Sequence, residues 1–270
     1  MNFANEKSRC SQADILSTGT MRFILFLCSP LILLINGCSC CQKSDGDQKW
    51  TSIFNGNDLS GWQVACLEAD KGKEFWKVVD GAIECDSIGR KDHAYVWLVA
   101  ENEYSDFELK LQFQGFRDSP GNSGIQIRSR YDESPEAPNG GWLDGPQVDI
   151  HPPVPWRIGL IYDETREEKR WIHPSLTNWE IEESQGQPNN IFKYSDEGDG
   201  WNDMRILCQG NQIKVWLNGD QITDYDGTGV LDNEAHVLHN VGTTGHIALQ
   251  LHAKDSLKIR FRELFVRELP

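Results

Sequence analysis

Six residues able to do chemistry fall in one twenty-residue stretch, GPQVDIHPPVPWRIGLIYDE (145–164): Gln147, Asp149, His151, Trp156, Asp163 and Glu164. Carboxylates and an imidazole can move protons or hold a cation, and an indole offers a flat apolar face to a sugar ring. The stretch fits a catalytic floor, a sugar-binding surface, or two strands with polar outer faces. On a strand, Gln147 and Asp149 share one face and Val148 and Ile150 the other. The same parity joins Gln250 to His252 at the end of IALQLH, and Gln126 to Arg128 in GIQIRS. Tyr162, Asp163 and Glu164 end a strand before the charged loop TREEKR, while Trp142 and Trp156 stand in loops rich in proline and glycine. Each also has an ordinary structural reading: a solvated carboxylate, a hydrogen-bonded histidine, an ion-paired arginine, an indole capping a core edge. His151, followed by two prolines, takes no role on these grounds. Neither does Asn122, which a tight Gly-Asn-Ser-Gly turn explains.

Short strands must carry these residues. FELKLQF puts Phe107, Leu109, Leu111 and Phe113 on one face, and HIALQLH and SLKIRF repeat the pattern. In DMRILCQGNQIKVWLNGDQITDY the alternation breaks at Gly210-Asn211 and again at Asn218-Gly219, a favoured hairpin pair, so a three-stranded meander is expected. Residues 174–202 read as a long surface excursion. Outside the N-terminal region no apolar period of 3.6 residues is evident. Many short strands without helices predict an all-β sandwich or jelly roll of two packed sheets.

The chain of 270 residues carries a formal charge of −15. An acidic body repels phosphate backbones, which argues against nucleic acid and favours a neutral partner such as carbohydrate. Ten tryptophans suit an all-β core, a carbohydrate-facing surface, or both. Near the start, Met21 and Arg22 precede FILFLCSPLILLING and Cys38. A cation, a short apolar run and a small residue before the cut describe an export signal over residues 1–37, with Met21 the better start. Cys38 then becomes a lipidated N-terminus and residues 38–48 a tether, followed by one domain over 49–270. The expected location is a bacterial cell envelope, held to the membrane by the lipid alone. About 14 apolar residues are short for a membrane span. In the body only Cys66, Cys85 and Cys208 remain; an odd number without C-x-x-C spacing suits packing rather than zinc or disulfides.

IFNGNDLSGW (53–62), YVWLVAENEYSDFELKLQF (95–113), GNSGIQIRS (121–129), GPQVDI (145–150), GLIYDE (159–164), WNDMRILCQGNQIKVWLNG (201–219), GHIALQLH (245–252) and IRFREL (259–264) follow in that order. Together they resemble the bacterial 3-keto-disaccharide hydrolase domain family across residues 49–270. The resemblance implies a concanavalin A-like β-sandwich (jelly roll) of two antiparallel sheets. It also implies glycoside cleavage after a separate sugar 3-dehydrogenase has placed a ketone at C3. That ketone acidifies the C2 hydrogen, so a general base can remove it, the C1 substituent departs, and water adds to the product. Negative charge on the ketone oxygen needs a stabilising partner meanwhile. On this resemblance Asp149 is general base or metal ligand, His252 is base, acid or ligand, and Asp163 or Glu164 is the second carboxylate. Arg128, Gln147, Trp156, Tyr162, Gln250 and Trp142 are the expected substrate contacts. A divalent cation, Ca²⁺ or Mn²⁺, would take Asp149, Asp163 and His252 as ligands, although no compact ligand signature announces one.

Two other functions compete. A retaining glucanase on this fold carries two glutamates as E-x-D-x-x-E. Here Glu68-Ala69-Asp70 runs on to Lys73 and Glu84-Cys85-Asp86 to Gly89, so neither completes the pattern. The alternative is a non-catalytic carbohydrate-binding lipoprotein, which needs the aromatic platform but neither Asp149 nor His252.

Overall fold

The computed structural model describes residues 49–188 and 190–270. The expected leader, the Cys38 lipidation site and the tether lie outside the described residues. Among those described, no helix is long and apolar enough to cross a membrane.

The alternations become β1 (Thr51–Ser52), β2 (Trp62–Cys66), β3 (Trp76–Val79), β4 (Ala82–Asp86), β5 (Val96–Tyr104), β6 (Phe107–Gly115), β7 (Ser123–Asp132) and β8 (Trp142–Asp144). They continue as β9 (Pro146–Ile150), β10 (Ile161–Asp163), β11 (Arg170–His173), β12 (Asn202–Gln209), β13 (Gln212–Leu217), β14 (Asp220–Asp226), β15 (Gly245–Leu251) and β16 (Lys258–Glu268). One antiparallel sheet runs β14-β13-β12-β6-β16-β4-β3, with β1 beside β16; the other runs β11-β10-β9-β7-β15-β5-β2, with β8 beside β7. The chain passes repeatedly between them, giving the expected sandwich.

The predicted inward faces meet in one core. Phe107, Leu109, Leu111 and Phe113 of β6 pack with Met204 and Ile206 of β12, and with Ile125, Val148, Ile150, Ile247 and Leu249 of the opposing sheet. Each such side chain contributes about 1.5–3 kcal/mol by leaving water. The meander forms as read: Asn218 and Gly219 take φ of 50° and 95°, the positive pair a type I′ turn requires. Cys66, Cys85 and Cys208 are buried free thiols.

One expectation fails. A short helix, α1 (Glu234–His239), forms where none was evident. Asn233 caps it by accepting a hydrogen bond from the His236 amide at 3.0 Å. Val237 and Leu238 face solvent and only His236 is buried, so the helix leaves no apolar stripe to read.

The second sheet's outer face is partly roofed by β8 and the turn before it. Ala137, Trp142 and Leu143 cover Trp97, Val99 and Ala248, and Tyr95 and Tyr131 pack against them. Beyond β11, the long excursion carries no strand among its described residues, only a 3₁₀ turn at Glu183–Gln185. It is fastened where the Gln187 amide donates to the Trp156 carbonyl at 2.7 Å, and where Gln187 Nε2 donates to the Ile222 carbonyl at 2.7 Å. The uncovered remainder of the face is a hollow.

Candidate active site

Gly124 opens the floor of that hollow. It stands opposite Asp149 in the β7–β9 ladder, and a Cβ there would fall 2.3 Å from Gln147 Cδ. Only glycine lets the Gln147 side chain lie flat across β7. A relay of amides results. Gln126 Nε2 donates to Gln147 Oε1 at 3.0 Å, and Gln147 Nε2 donates to Asp149 Oδ1 at 3.1 Å.

The other Asp149 oxygen, Oδ2, lies 3.2 Å from Arg157 Nε, too poorly aligned for a hydrogen bond, so both atoms lack a hydrogen-bond partner. Burial pushes the Asp149 carboxyl up to about 6, against the pull of Arg157 and the Gln147 hydrogen bond. Glu164 is held from both sides of its backbone. Its amide donates to the Gly145 carbonyl at 3.0 Å, and its carbonyl accepts from Trp142 Nε1 at 2.8 Å. The side chain takes one hydrogen bond, from Gln250 Nε2 at 3.3 Å. Burial drives this carboxyl up to about 8; Gln250 and Lys169 offset only part of the effect. Two carboxyls in one hollow thus carry different charges at neutral pH, Asp149 mostly ionised and Glu164 mostly protonated.

His252 completes the chemistry-bearing set. Its Nε2 lies 3.0 Å from the Tyr95 hydroxyl and its Nδ1 3.1 Å from the Ala253 carbonyl. A carbonyl only accepts, so Nδ1 carries the proton and Nε2 accepts from Tyr95. Burial lowers the imidazole's pKa, with Asp255 opposing from 3.9 Å, and the ring is neutral.

The hollow holds about 310 Å³. Asp149, Glu164, His252 and Gln147 meet it from the floor, and Tyr162, Trp171 and Trp179 supply aromatic wall. Three buried oxygens around it, Asn122 Oδ1, Asp149 Oδ2 and Gln250 Oε1, have no hydrogen-bond donor within the protein. Such acceptors call for a ligand rich in hydroxyl donors.

Of the sequence candidates, Asp149, Glu164, His252, Gln147, Tyr162 and Trp142 line this hollow, and Gln250 lies beneath Glu164. Arg128 does not reach it. A bulge against β15 and a φ of 51° break the parity with Gln126. The fully buried guanidinium turns to the sandwich edge, donating to the carbonyls of Ser105 (2.6 Å), Gly210 (2.6 Å) and Gly242 (3.3 Å) and to Asp106 (2.9 Å). Trp156 also misses the hollow. Its left-handed backbone, φ 53°, hands the wall to the next residue, Arg157. Asp163 points to the sheet's other side, 3.0 Å from His236 Nε2, where it anchors α1. The expected metal set of Asp149, Asp163 and His252 therefore does not converge. No group of three His, Cys, Asp or Glu among the described residues is placed to hold a metal ion. Trp142 does not offer the expected stacking face: it is buried, Lys169 Nζ sits 4.0 Å above its centroid, and Tyr95 and Trp97 pack at steep angles against it.

Sequence reasoning passed over Tyr95, Asn122, Arg157, Lys169, Trp171 and Trp179, all of which line the hollow. Asn122, read from the sequence as a turn residue, has no positive φ. Its amide donates to Asp255 at 2.7 Å while its Oδ1 stays unpartnered. Arg157 had a signal in the sequence, as the one cation inside the acidic stretch 145–164. Trp171 lies on the edge strand β11, and the others on loops whose folding over the sheet no periodicity announces.

A family model for the 3-keto-alpha-glucoside-1,2-lyase-like domain matches residues 49–267. Among solved structures, a candidate glycosyl hydrolase from Parabacteroides distasonis is similar at 21% identity and a TM-score of 0.50, covering 83% of this chain and 95% of that one. A second from the same organism is similar at 22% identity and a TM-score of 0.50, covering 82% of this chain and 100% of that one. At these identities the likeness shows a shared fold. No curated protein matches the chain.

Proposed function

The chain belongs to the 3-keto-alpha-glucoside-1,2-lyase-like family, a carbohydrate-active family, and on that premise we propose that it cleaves 3-keto-glycosides, including 3-keto-disaccharides, by elimination and hydration. Asp149 is the general base and Glu164 the general acid. Asp149 takes the C2 proton, and the C2–H electron pair forms the C1–C2 double bond as the C1–O bond breaks. Glu164 gives its proton to the departing oxygen. Water then adds at C1 of the unsaturated ketone, with a proton returning to C2, and a free 3-keto sugar results.

The observation that carries this reading is the pair of buried carboxyls facing one hollow with separated pKa values, about 6 and about 8. Such splitting supports Asp149 as the base and Glu164 as the acid at neutral pH. Arg157, beside Asp149, is the nearest cation to the base end and would stabilise charge growing on the ketone oxygen. The unpartnered oxygens of Asn122 and Gln250 would accept sugar hydroxyls, and Tyr95 would orient His252 as a neutral hydrogen-bonding group. We further infer an exported lipoprotein lipidated at Cys38, dependent on a sugar 3-dehydrogenase for its substrate. The support is the sequence before Cys38 and the C3 ketone the reaction needs.

The test incubates the protein and its Asp149→Asn variant with a 3-keto-disaccharide and with the unoxidised parent, with and without chelator, and follows sugar release by chromatography. Release from the keto sugar alone, lost in the variant, is expected. Binding without release from either would leave a carbohydrate-binding lipoprotein and overturn the catalytic roles. Loss of release with chelator would add a metal that the proposed residues do not themselves supply.

A further inference from the structure

The hollow's wall contains one cation to which the proposed reaction gives no step, although its charge already weighs on Glu164. Between residues 157 and 170 stand Arg157, Arg166, Lys169 and Arg170. Arg157 pairs with Asp149 at 3.2 Å, Arg166 with Asp132 and Asp144 at 2.9 Å each, and Arg170 with Glu168 at 3.0 Å. Among the described residues, Lys169 pairs with no carboxylate, in a protein whose net charge is −15. Its backbone is held in the left-handed region at φ 42°, which a non-glycine residue adopts only where its surroundings impose it. The turn that imposes it is closed by the Glu168 and Lys169 amides, which donate to the Thr165 carbonyl at 2.8 and 3.0 Å. The side chain runs over the Trp142 ring, with Nζ 4.0 Å from the centroid, and lines the hollow. The same indole binds the Glu164 carbonyl through its Nε1. Lys169 therefore stands at the acid end, where the leaving group departs.

We propose that Lys169 makes this end of the hollow a receptor for an oxyanion on the leaving group. The preferred substrates are then 3-keto-glycosides whose C1 substituent bears a carboxylate or a sulfate. The assignment of the anion to the leaving group rests on the reaction proposed above. The chemistry is one ammonium, held over an aromatic ring, that has no partner until the ligand brings one. In an acidic protein an anionic ligand is on balance repelled, so a cation without a carboxylate partner in the wall of the hollow selects for it.

The test separates binding from turnover by using unoxidised glycosides on the full chain. Affinities are measured calorimetrically for 4-carboxyphenyl, 4-sulfooxyphenyl and 4-carbamoylphenyl glucosides; the last matches the first in shape without its charge. The protein should prefer at least one charged ligand over the carbamoyl ligand by about tenfold, the scale of one charge-assisted hydrogen bond. Which charged ligand binds better tells carboxylate from sulfate. Lys169→Met should abolish the preference, Lys169→Arg should keep most of it, and added salt should shrink it. No preference in the native protein, or one that survives Lys169→Met, overturns the inference. Turnover of 3-keto-glycosides is scored separately. Turnover without a charge preference removes this inference alone, whereas a charge preference without turnover keeps the subsite and removes the reaction.

Discussion

The two sheets turn very different outer faces to solvent. On the first, charges answer one another. Glu108 is shared by Arg205 at 2.8 Å and by Arg267, Glu84 lies among Lys77, Arg260 and Lys258, and Lys214 meets Asp224 at 3.2 Å. Its rings are capped as well. Arg205 lies 3.6 Å above Trp216, and Arg262 3.9 Å above Trp201. A groove of about 680 Å³ runs over this face, larger than the hollow on the other sheet. Size is therefore a poor guide to the site. On the second sheet, loops bury the outward polar groups before they are satisfied, and Asp149, Asn122 and Gln250 keep oxygens without donors. Burial without satisfaction is costly for stability and useful for chemistry, because it shifts pKa values and leaves bonds for a ligand to make.

The largest expected contrast is in turnover. Asp149→Asn should lower the rate on a 3-keto-glycoside by about 10²–10⁴-fold, the usual contribution of a general base. Its melting temperature should hold or rise, since a buried carboxylate becomes a neutral amide. Glu108→Gln, which removes a shared carboxylate from the other sheet, should leave turnover within about twofold, because Glu108 and its arginine partners take no part in the hollow. Equal losses from both substitutions would place the site elsewhere or reduce Asp149 to a structural role.

Stability should show the reverse ranking for arginines. Arg128→Met removes a fully buried guanidinium with its four hydrogen bonds, leaving three carbonyls without that donor and Asp106 with only the Gly210 amide. A loss of about 3–5 kcal/mol is expected in denaturant unfolding. Arg205→Met removes a half-exposed partner of Glu108 and should cost about 1 kcal/mol or less. If Arg128→Met instead kept full stability and lost substrate affinity, the arginine would belong to the ligand after all.

pH offers a finer test on the second face alone. Turnover should rise as Asp149 ionises through about 6 and fall as Glu164 ionises through about 8. The stability sign follows from the same shifts. Both folded carboxyls sit above their ordinary values, so their contribution is fully present below the ordinary carboxylate range. It is lost as pH rises through about 6 and then about 8. Glu164→Gln should remove the alkaline limb of turnover and flatten the fall of melting temperature that runs from the ordinary carboxylate range up to about pH 8. An unchanged alkaline limb would assign the acid to another group.

The inward half of both sheets was legible in the sequence because burial of alternate side chains imposes a period of two, and Phe107–Phe113, Ile247–Leu251 and Met204–Leu217 display it openly. The outward half was legible only where a strand stays regular. Gln147 and Asp149 sit where parity puts them, on an unbroken β9. Arg128 does not, because a bulge consumes one residue of the ladder, and Trp156 does not, because a left-handed residue reverses the alternation. Neither event has a glycine to mark it. The wall from Trp179 and Lys169 depends on loops beside the edge strand β11, which carries Trp171, a relation between segments that no local period encodes.

The smallest effect compares two lysines. Lys214 lies 3.2 Å from Asp224 with both side chains substantially exposed, whereas Lys169 lies over an indole with no carboxylate partner among the described residues. Lys214→Ala should change unfolding free energy by about 0.5 kcal/mol or less, and 1 M salt should erase the difference, since the Debye length is then about 3 Å. Lys169→Ala should be as mild, losing about 0.5–1 kcal/mol of exposed cation–π contact; alanine keeps the Cβ, so the strain of the left-handed backbone is unchanged. Unfolding measurements alone would thus call the two residues equivalent. Only a charged ligand tells them apart, strengthening its grip where the cation was left unpaired and ignoring the one already matched. A Lys214→Ala variant that altered discrimination between charged and neutral glucosides would show that the protein's long-range field does the selecting, and not the wall of the hollow.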